Sequence, residues 1–522
     1  MVNLNTTEEQ INHNLSSLSQ GKTTPLVFLK SRMYKKEKQN KTADNFFICQ
    51  ATSQSNSARI IRAFACEISF VTCRMKEIKY YSLEEVKKHN SKGDYWVVID
   101  GGVYDLGRWA PHHPGGELPI RYMAGHDSTD VFRAFHLPWV AERKLPAFKI
   151  GEVKDQCEQT VKESSLIKDF QKVRDEIEQC LDTNYWFYAG HAVNLGAIFT
   201  LLVYGVVFSN NVYIQMASSV LVALFWHQMA FIGHDIGHTA ITHDLKTDSS
   251  IGIFVGNMTT GISIGWWKKS HNAHHIVTNS VEFDPDIQHL PVLAITDKFF
   301  KSVRSMYHEK VLYFDGLARF FVSYQHWLYY IIMGVARYNL YLQSFLLVFS
   351  LPKGRNKTLE LLGLVFFWTW YIYLCSYLPS WPALFVFVSV AHFLAGLLHI
   401  QITLSHFSME TYHGHPLDAF KSNQFLLSQL ATTMDIECYP WLDFVHGGLQ
   451  FQIEHHLFPR LPRHKLRDAK VKIQELCKKH NIPYRSKTFW EANIEIIQKL
   501  KETAAKAQCI SPIIWEGIHA IG

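Results

Sequence analysis

Four apolar runs, Tyr185 to Phe208, Val212 to Ile232, Leu361 to Leu378 and Ala383 to Thr403, constrain this chain more than any other feature. Each is long enough for a helix to cross a hydrocarbon core, which takes about 20 residues. A helix satisfies its own backbone there without partner strands. The runs come in two pairs, joined by Ser209 to Asn211 and by Pro379 to Pro382, and neither link carries a charge. The segments between and after the pairs hold Lys268, Lys269, Lys353, Arg355, Lys357, Arg460 and Arg463. Basic residues favour the cytosolic side, so those segments are expected in the cytosol and the short links across the bilayer. Phe254 to Ile264 and His326 to Phe349 are also apolar and read as interfacial or re-entrant stretches. The expectation is an all-α membrane domain with four transmembrane helices.

This topology places histidines scattered along the chain on one face of the membrane. In Trp266-Trp267-Lys268-Lys269-Ser270-His271-Asn272-Ala273-His274-His275, three imidazoles stand at i, i+3 and i+4, the spacing that puts helical side chains on one face. Gln452, His455 and His456 repeat the pattern, and His234 and His238 form a shorter version. His406 follows the fourth run. One metal takes three or four such ligands, and seven histidines plus His406 exceed that number, so the arithmetic favours two metals. Imidazole suits zinc, copper, iron and nickel. The expected ligand set is His234, His238, His271, His274, His275, His406, Gln452, His455 and His456, with no catalytic residue separate from it. His392, His399 and His406 share a stripe at steps of seven. His399 would lie about 10 Å deeper than His406 at a rise of about 1.5 Å per residue, as a buried hydrogen-bonding or channel residue. His227, His243 and His289 read as peripheral, and Asp235 as a group that orients an imidazole.

Ahead of the runs the chain is mostly polar. Residues 1–74 lack periodicity and a secretory apolar core, and are expected to be disordered. Their deletion is expected to leave activity intact. From Ile78 a small α+β module is expected. Ser82 and Glu85 have capping-box spacing, and Tyr95 to Asp100 followed by Gly101 to Asp105 reads as a hairpin. His112-His113-Pro114-Gly115-Gly116 comes next, and Phe132-Arg133-Ala134-Phe135-His136 follows. These residues resemble the cytochrome b5 family over 78–152, and the resemblance implies haem b held by His113 and His136. Two axial histidines leave no open position on iron, so such a haem passes electrons. His112 and His126 read as exposed residues without a role. Residues 153–181 carry Leu166, Ile167, Phe170, Val173, Ile177 and Leu181 at helical spacing, an amphipathic helix for the bilayer or for the catalytic body.

A net charge of +6 is scattered along the chain without a basic stripe, which gives no sign of nucleic-acid binding. The nine cysteines show neither CxxC pairs nor regular spacing, so neither a zinc ribbon nor a disulfide framework is suggested.

With these pieces placed, Ile78 to Pro483 resembles the front-end membrane desaturases that carry a fused cytochrome b5 domain. The motifs are His234-Asp235-Ile236-Gly237-His238, His271-Asn272-Ala273-His274-His275 and a third box led by Gln452 where other desaturases have His. Trp266 to Lys269 and Asp284-Pro285-Asp286-Ile287-Gln288-His289-Leu290-Pro291 look most like delta-8 sphingolipid long-chain-base desaturases of the fungal type, while Phe283 departs from the usual His. The resemblance implies a domain over 182–483 with two non-haem iron ions, an O2-dependent desaturation of a long lipid chain, and a cytosolic tail over 484–522. It also implies electrons from NADH-cytochrome b5 reductase and an endoplasmic reticulum membrane. A delta-6 or delta-5 acyl-lipid desaturase, a di-iron hydroxylase and an electron-relaying haem protein are the alternatives.

Overall fold

The computed structural model describes residues 78–154, 165–351, 354–420 and 425–509. The expected disordered extension and the last thirteen residues lie outside them.

The chain first builds a five-stranded sheet in the order β1-β5-β4-β3-β2. Its strands are β1 (Tyr80–Tyr81), β2 (Asn90–Ser91), β3 (Asp94–Ile99), β4 (Gly102–Asp105) and β5 (Lys149–Val153). Ser82 Oγ accepts the Glu85 N–H at 3.1 Å and opens the one-turn helix α1 (Leu83–Val86). The β3–β4 hairpin turns at Asp100-Gly101 with Ile99 opposite Gly102. Helices α2 (Glu117–Met123), α3 (Thr129–Phe135) and α4 (Pro138–Arg143) complete the module.

Helix α5 (Ser165–Glu178) buries Phe170, Arg174 and Ile177, and packs on the carboxy-terminal helical body, one of the two placements its amphipathic pattern left open. Phe170 meets Phe458 at 6.3 Å, and Asp169 pairs with Lys479 at 2.7 Å.

Helices α6 (Tyr185–Val207) and α7 (Val212–Gly237) form the first apolar hairpin. Then follow α8 (Leu245–Gly252), a π-helical segment Ile253–Thr260, α9 (Ile264–Val277), α10 (Gly316–Ser350), α11 (Arg355–Cys375), α12 (Trp381–Ala395) and α13 (Leu397–Leu404). Among the described residues, five helices are long and apolar enough to cross a membrane, one more than the four expected. The fifth is α10, a single 35-residue helix containing the stretch from His326 to Phe349. The stretch expected to be interfacial or re-entrant is thus the core of one long helix, whose polar residues find partners in the protein. Gln325 and Arg337 point into protein: the Gln325 amide donates to Leu500 O at 3.0 Å, and Arg337 donates to Thr260 O at 2.7 Å. The π-helical segment is likewise tied to protein, through the Asn257 amide on the buried Glu360 carboxylate. Gly396 lies between α12 and α13 and lets them pack closely on α10, since a Cβ there would lie 2.6 Å from Gly334 Cα.

The rest of the body is closed by α14 (Pro416–Ala419), α15 (Phe425–Thr432), α16 (Asp443–His446), α17 (Gln452–Leu457), α18 (Leu466–Lys479) and α19 (Phe489–Cys509). Strand β8 (Asp435–Glu437) pairs in parallel with β9 (Ser486–Thr488); the short β6–β7 pairing, Val303–Arg304 with Val311–Leu312, precedes both in the chain. The described part of the expected tail is therefore folded onto the body, with Tyr330 OH bonded to Asn493 on α19 at 3.1 Å. One apolar core joins the haem module to this body, with Tyr95, Ile120, Tyr122 and Val131 in the same cluster as Ala273, Ile276, Phe451 and Ile453.

Candidate haem and metal centres

In the haem module, Pro111 lies in a 3-10 turn, Ala110–His112, that delivers His113, and α3 ends at its C-cap His136. The two imidazoles face each other with ring centroids 5.9 Å apart. Each is held from behind: His113 Nδ1 bonds Gly116 O and His136 Nδ1 bonds Phe132 O, both at 2.9 Å. A carbonyl accepts only from N–H, so both rings carry their proton on Nδ1 and turn a bare Nε2 inward. Burial lowers both pKa values, that of His136 to about 4, which keeps the rings neutral. Two neutral, pre-aimed Nε2 atoms fit a six-coordinate haem iron.

The other histidines gather beneath. His234, His238, His271 and His455 bring ring nitrogens within 4.8 Å of one another, and His274, His406 and His456 form a second such group. His275 adjoins the first, with Nε2 3.0 Å from those of His271 and His455, and its ring stacks on His456 at 4.0 Å. The Gln452 amide lies 3.1 Å from His406 Nε2 and 3.4 Å from His456 Nε2. All nine residues of the expected set thus meet in one place. They come from the end of α7, the last turns of α9, the segment after α13, and α17.

Eight of the nine are buried; His234 is partly so. Burial first, then mutual repulsion, pushes His238, His275, His455 and His456 far below the ordinary imidazole range. Burial also takes His271 down to about 3. Burial pulls His274 down too, yet Asp284 and Asp286 overcome it and hold that ring at about 9. Both ring nitrogens of His238, Nε2 of His234, Nδ1 of His275 and Oε1 of Gln452 are buried without a hydrogen-bond partner. The rings whose pKa is lowered stay neutral, and convergent, unpaired nitrogens in a closed space are a donor set for cations. The two groups are two candidate cation positions.

Groups outside the set fix its rings, as such partners do at metal sites. His274 Nδ1 bonds Asp284 at 2.9 Å, and Asp284 also accepts the Asn279 N–H at 2.7 Å. His456 Nδ1 lies 2.8 Å from Gln429 Oε1. Asp235 sits 3.8 Å from His234 Nδ1 and is held by Tyr188 OH at 2.8 Å and Arg463 at 3.2 Å. Sequence reasoning gave no role to Asp284 and missed Gln429. The Asp-Pro-Asp run was a signal for the first, whereas nothing local marks the second.

Trp267 is a further omission. Its ring stacks on His271 at 4.4 Å and lies edge-on to His238 at 5.3 Å. It reaches them because position 237 has no Cβ, which would lie 1.9 Å from the indole. Gly237→Ala is expected to cost about 1–3 kcal/mol by overpacking, read as a lower thermal midpoint together with loss of bound non-haem iron. Unchanged iron content would show that the Trp267 wall is not needed.

The remaining histidines lie apart. His227 bonds Gln401 at 2.8 Å and His243 bonds Leu181 O at 2.7 Å. His392 and His399 are buried outside both groups, and His289 packs near Phe407 at 5.9 Å. His112 is exposed. His126, expected to be exposed, is partly buried because the haem module docks there; its ring stacks on His415 at 4.0 Å. Phe283 belongs to the same docking surface, edge-to-face with Tyr122 at 5.2 Å.

Comparison with known proteins matches a family to each of the two parts of the chain. The family described as "Fatty acid desaturase" matches residues 211–488, and the "Cytochrome b5-like Heme/Steroid binding domain" matches residues 82–154. A Helianthus annuus protein named "Delta(8)-fatty-acid desaturase" is 43% identical over 455 residues, covering 85% of this chain and 96% of that one. A Borago officinalis "Acyl-lipid (9-3)-desaturase" is 41% identical over 455 residues, 85% of this chain and 99% of its own. An Emericella nidulans "Delta 8-(E)-sphingolipid desaturase" is 34% identical over 518 residues, covering 80% and 93%. The chain therefore belongs to the fatty acid desaturase family, in the form fused to an amino-terminal cytochrome b5-like domain, and is an O2-dependent oxidoreductase that desaturates membrane lipids.

Proposed function

We propose that this enzyme is a delta-8 sphingolipid desaturase, placing a double bond in the long-chain base of sphingolipids or ceramides. The observation that carries the chemistry is the convergence of two imidazole groups directly under a haem module. His234, His238, His271, His275 and His455 would hold one iron, and His274, His406, Gln452 and His456 the other. His113 and His136 would hold haem b. When bound, the irons activate O2 to remove hydrogen from an unactivated methylene, and the haem supplies the two electrons singly. The protein's part is to keep His238, His271, His275, His455 and His456 neutral by burial, to hold His274 against Asp284 and His456 against Gln429 with Asp235 beside His234, and to keep bulk water out. The substrate assignment rests on the motifs around the second box and on the delta-8 relatives, the fungal one being named for sphingolipid. The Borago relative favours a second reading, a front-end acyl-lipid desaturase.

In this reading four helices cross the bilayer and α10 lies along its cytosolic surface. The imidazoles at the end of α7 and after α13 share one site. The start of α11 is tied to α9 through Glu360, which accepts the Gly265 N–H at 3.0 Å. An odd number of crossings by α10 would separate those ends. Phe320, Tyr324, Trp327, Ile331 and Tyr338 are exposed along α10, an amphipathic face rich in the aromatic residues that favour the interface. The cytosolic face of the endoplasmic reticulum, with NADH-cytochrome b5 reductase as donor, completes the proposal.

Expression in a host that lacks delta-8 bases, with analysis of both lipid pools, tests it. New delta-8 unsaturation in long-chain bases is expected. Unsaturation confined to fatty acids would transfer the assignment to the acyl-lipid reading, and a hydroxylated product would replace desaturation by hydroxylation.

A further inference from the structure

Phe135 belongs to neither ligand set, yet its ring lies between them. His136 and Phe135 are chain neighbours at the end of α3 and face opposite ways. The His136 ring stacks on Phe132 at 4.4 Å with 16° between planes. The Phe135 ring meets the fully buried His275 imidazole edge to face, at 6.1 Å and 84°. His275 in turn stands with its Nε2 3.0 Å from those of His271 and His455. From the proposed haem ligand to the metal group the path is covalent as far as the Phe135 ring, and then needs one step through space.

That step is held at fixed length by the catalytic body. Arg460, 6% exposed, donates from Nε to Ala134 O at 3.0 Å and from Nη2 to Arg133 O at 3.2 Å. It lies four residues after His456, so the chain that supplies metal ligands also grips the last turn of α3. The first turn is gripped by Arg174, 3% exposed, through Asp130 at 2.6 Å. Burying two guanidinium groups is costly unless they are paired. Spending both on one seven-residue helix of the haem module fixes that helix against the metal groups, where a tether alone would leave it free to swing.

We propose that Phe135 is the electron relay between the haem module and the metal centre, entering it at His275, and that Arg460 is the residue that positions the ring. The inference rests on the proposed haem and metal ligation. In each transfer one electron leaves ferrous haem, which becomes ferric, and one metal ion is reduced by one unit; no atom or proton moves through Phe135. Two transfers serve one desaturation. Tunnelling falls off more steeply across open gaps than through bonded or closely packed atoms, so removing the ring lengthens the one gap that matters.

The test uses the full-length membrane protein loaded with haem and iron, in Phe135→Leu and Phe135→Tyr variants. Haem content, Soret band and haem midpoint potential are expected to stay at wild-type values in both. Chemically reduced haem, mixed with dioxygen and substrate-bearing membranes, is expected to reoxidise roughly 10- to 100-fold more slowly in Phe135→Leu, the scale of effect of residues supporting a metal ligand. Phe135→Tyr restores the ring and is expected to reoxidise at about the wild-type rate. A leucine variant as fast as wild type, or a tyrosine variant as slow as leucine, would overturn the relay. If leucine costs haem, Arg460→Gln carries the same test without altering the haem module: slower reoxidation with haem retained supports the assignment, and a wild-type rate overturns it. Wild-type haem that stays reduced under these conditions would overturn the underlying metal reading, and the relay with it.

Discussion

His455→Ala is expected to yield a folded membrane protein with its full haem content and no detectable desaturation. His455 sits in the first imidazole group and places its Nε2 3.0 Å from that of His275. Alanine removes a donor from the centre of the set and leaves neighbouring unpaired nitrogens buried around a void. Loss of a residue that merely supports a metal ligand costs roughly 10- to 100-fold in affinity or activity, so loss of a ligand is expected to exceed that range. Non-haem iron, assayed with a chelator after haem is subtracted, should fall with product, while the Soret band stays. His406→Ala and Gln452→Ala are expected to follow, since both belong to the second group. His399→Ala is the matched control, because that ring is buried outside both groups. Substantial product from His455→Ala would remove it from the ligand set, and equal damage from His399→Ala would mean that the assay reads folding.

The second large effect is expected at the haem. His136→Ala should abolish the Soret band and, with it, desaturation driven by NADH, while non-haem iron is retained. The docked module shares its apolar core with the body around the metal site, and Arg460 and Arg174 hold α3 through contacts that do not involve the His136 ring. The haem-free module is therefore expected to stay in place and to keep added soluble cytochrome b5 from the face it covers. Little rescue by such addition is the expected outcome; full rescue would show that the module leaves its seat or that electrons enter elsewhere. His113→Ala should behave in the same way, because its ring faces that of His136 at 5.9 Å.

Much of this was legible in the sequence because the relevant spacings are local. A helix places i, i+3 and i+4 on one face whatever surrounds it, so His271, His274 and His275 declared themselves, as did the Ser82 cap and the β3–β4 hairpin. The helix α10 was harder to read. Gln325 and Arg337 look out of place in an apolar run until α19 and the Thr260 carbonyl appear as their partners. Phe283 looked like a loss from a motif, and only docking against Tyr122 gives it a place.

The sequence by itself marked the residues that the fold brings together: the imidazole groups, and the His-Pro-Gly-Gly turn with its second histidine. Tertiary structure alone decided how they are shared. His274 and His275 are adjacent in the chain, yet His274 joins His406 and His456 while His275 leans on His271 and His455. Successive side chains on a helix point about 100° apart, and which neighbour waits in each direction depends on segments up to 180 residues away. Likewise, the contact of Phe135 with His275 exists only because the haem module docks on the rest of the fold, through a shared apolar core and two buried arginines.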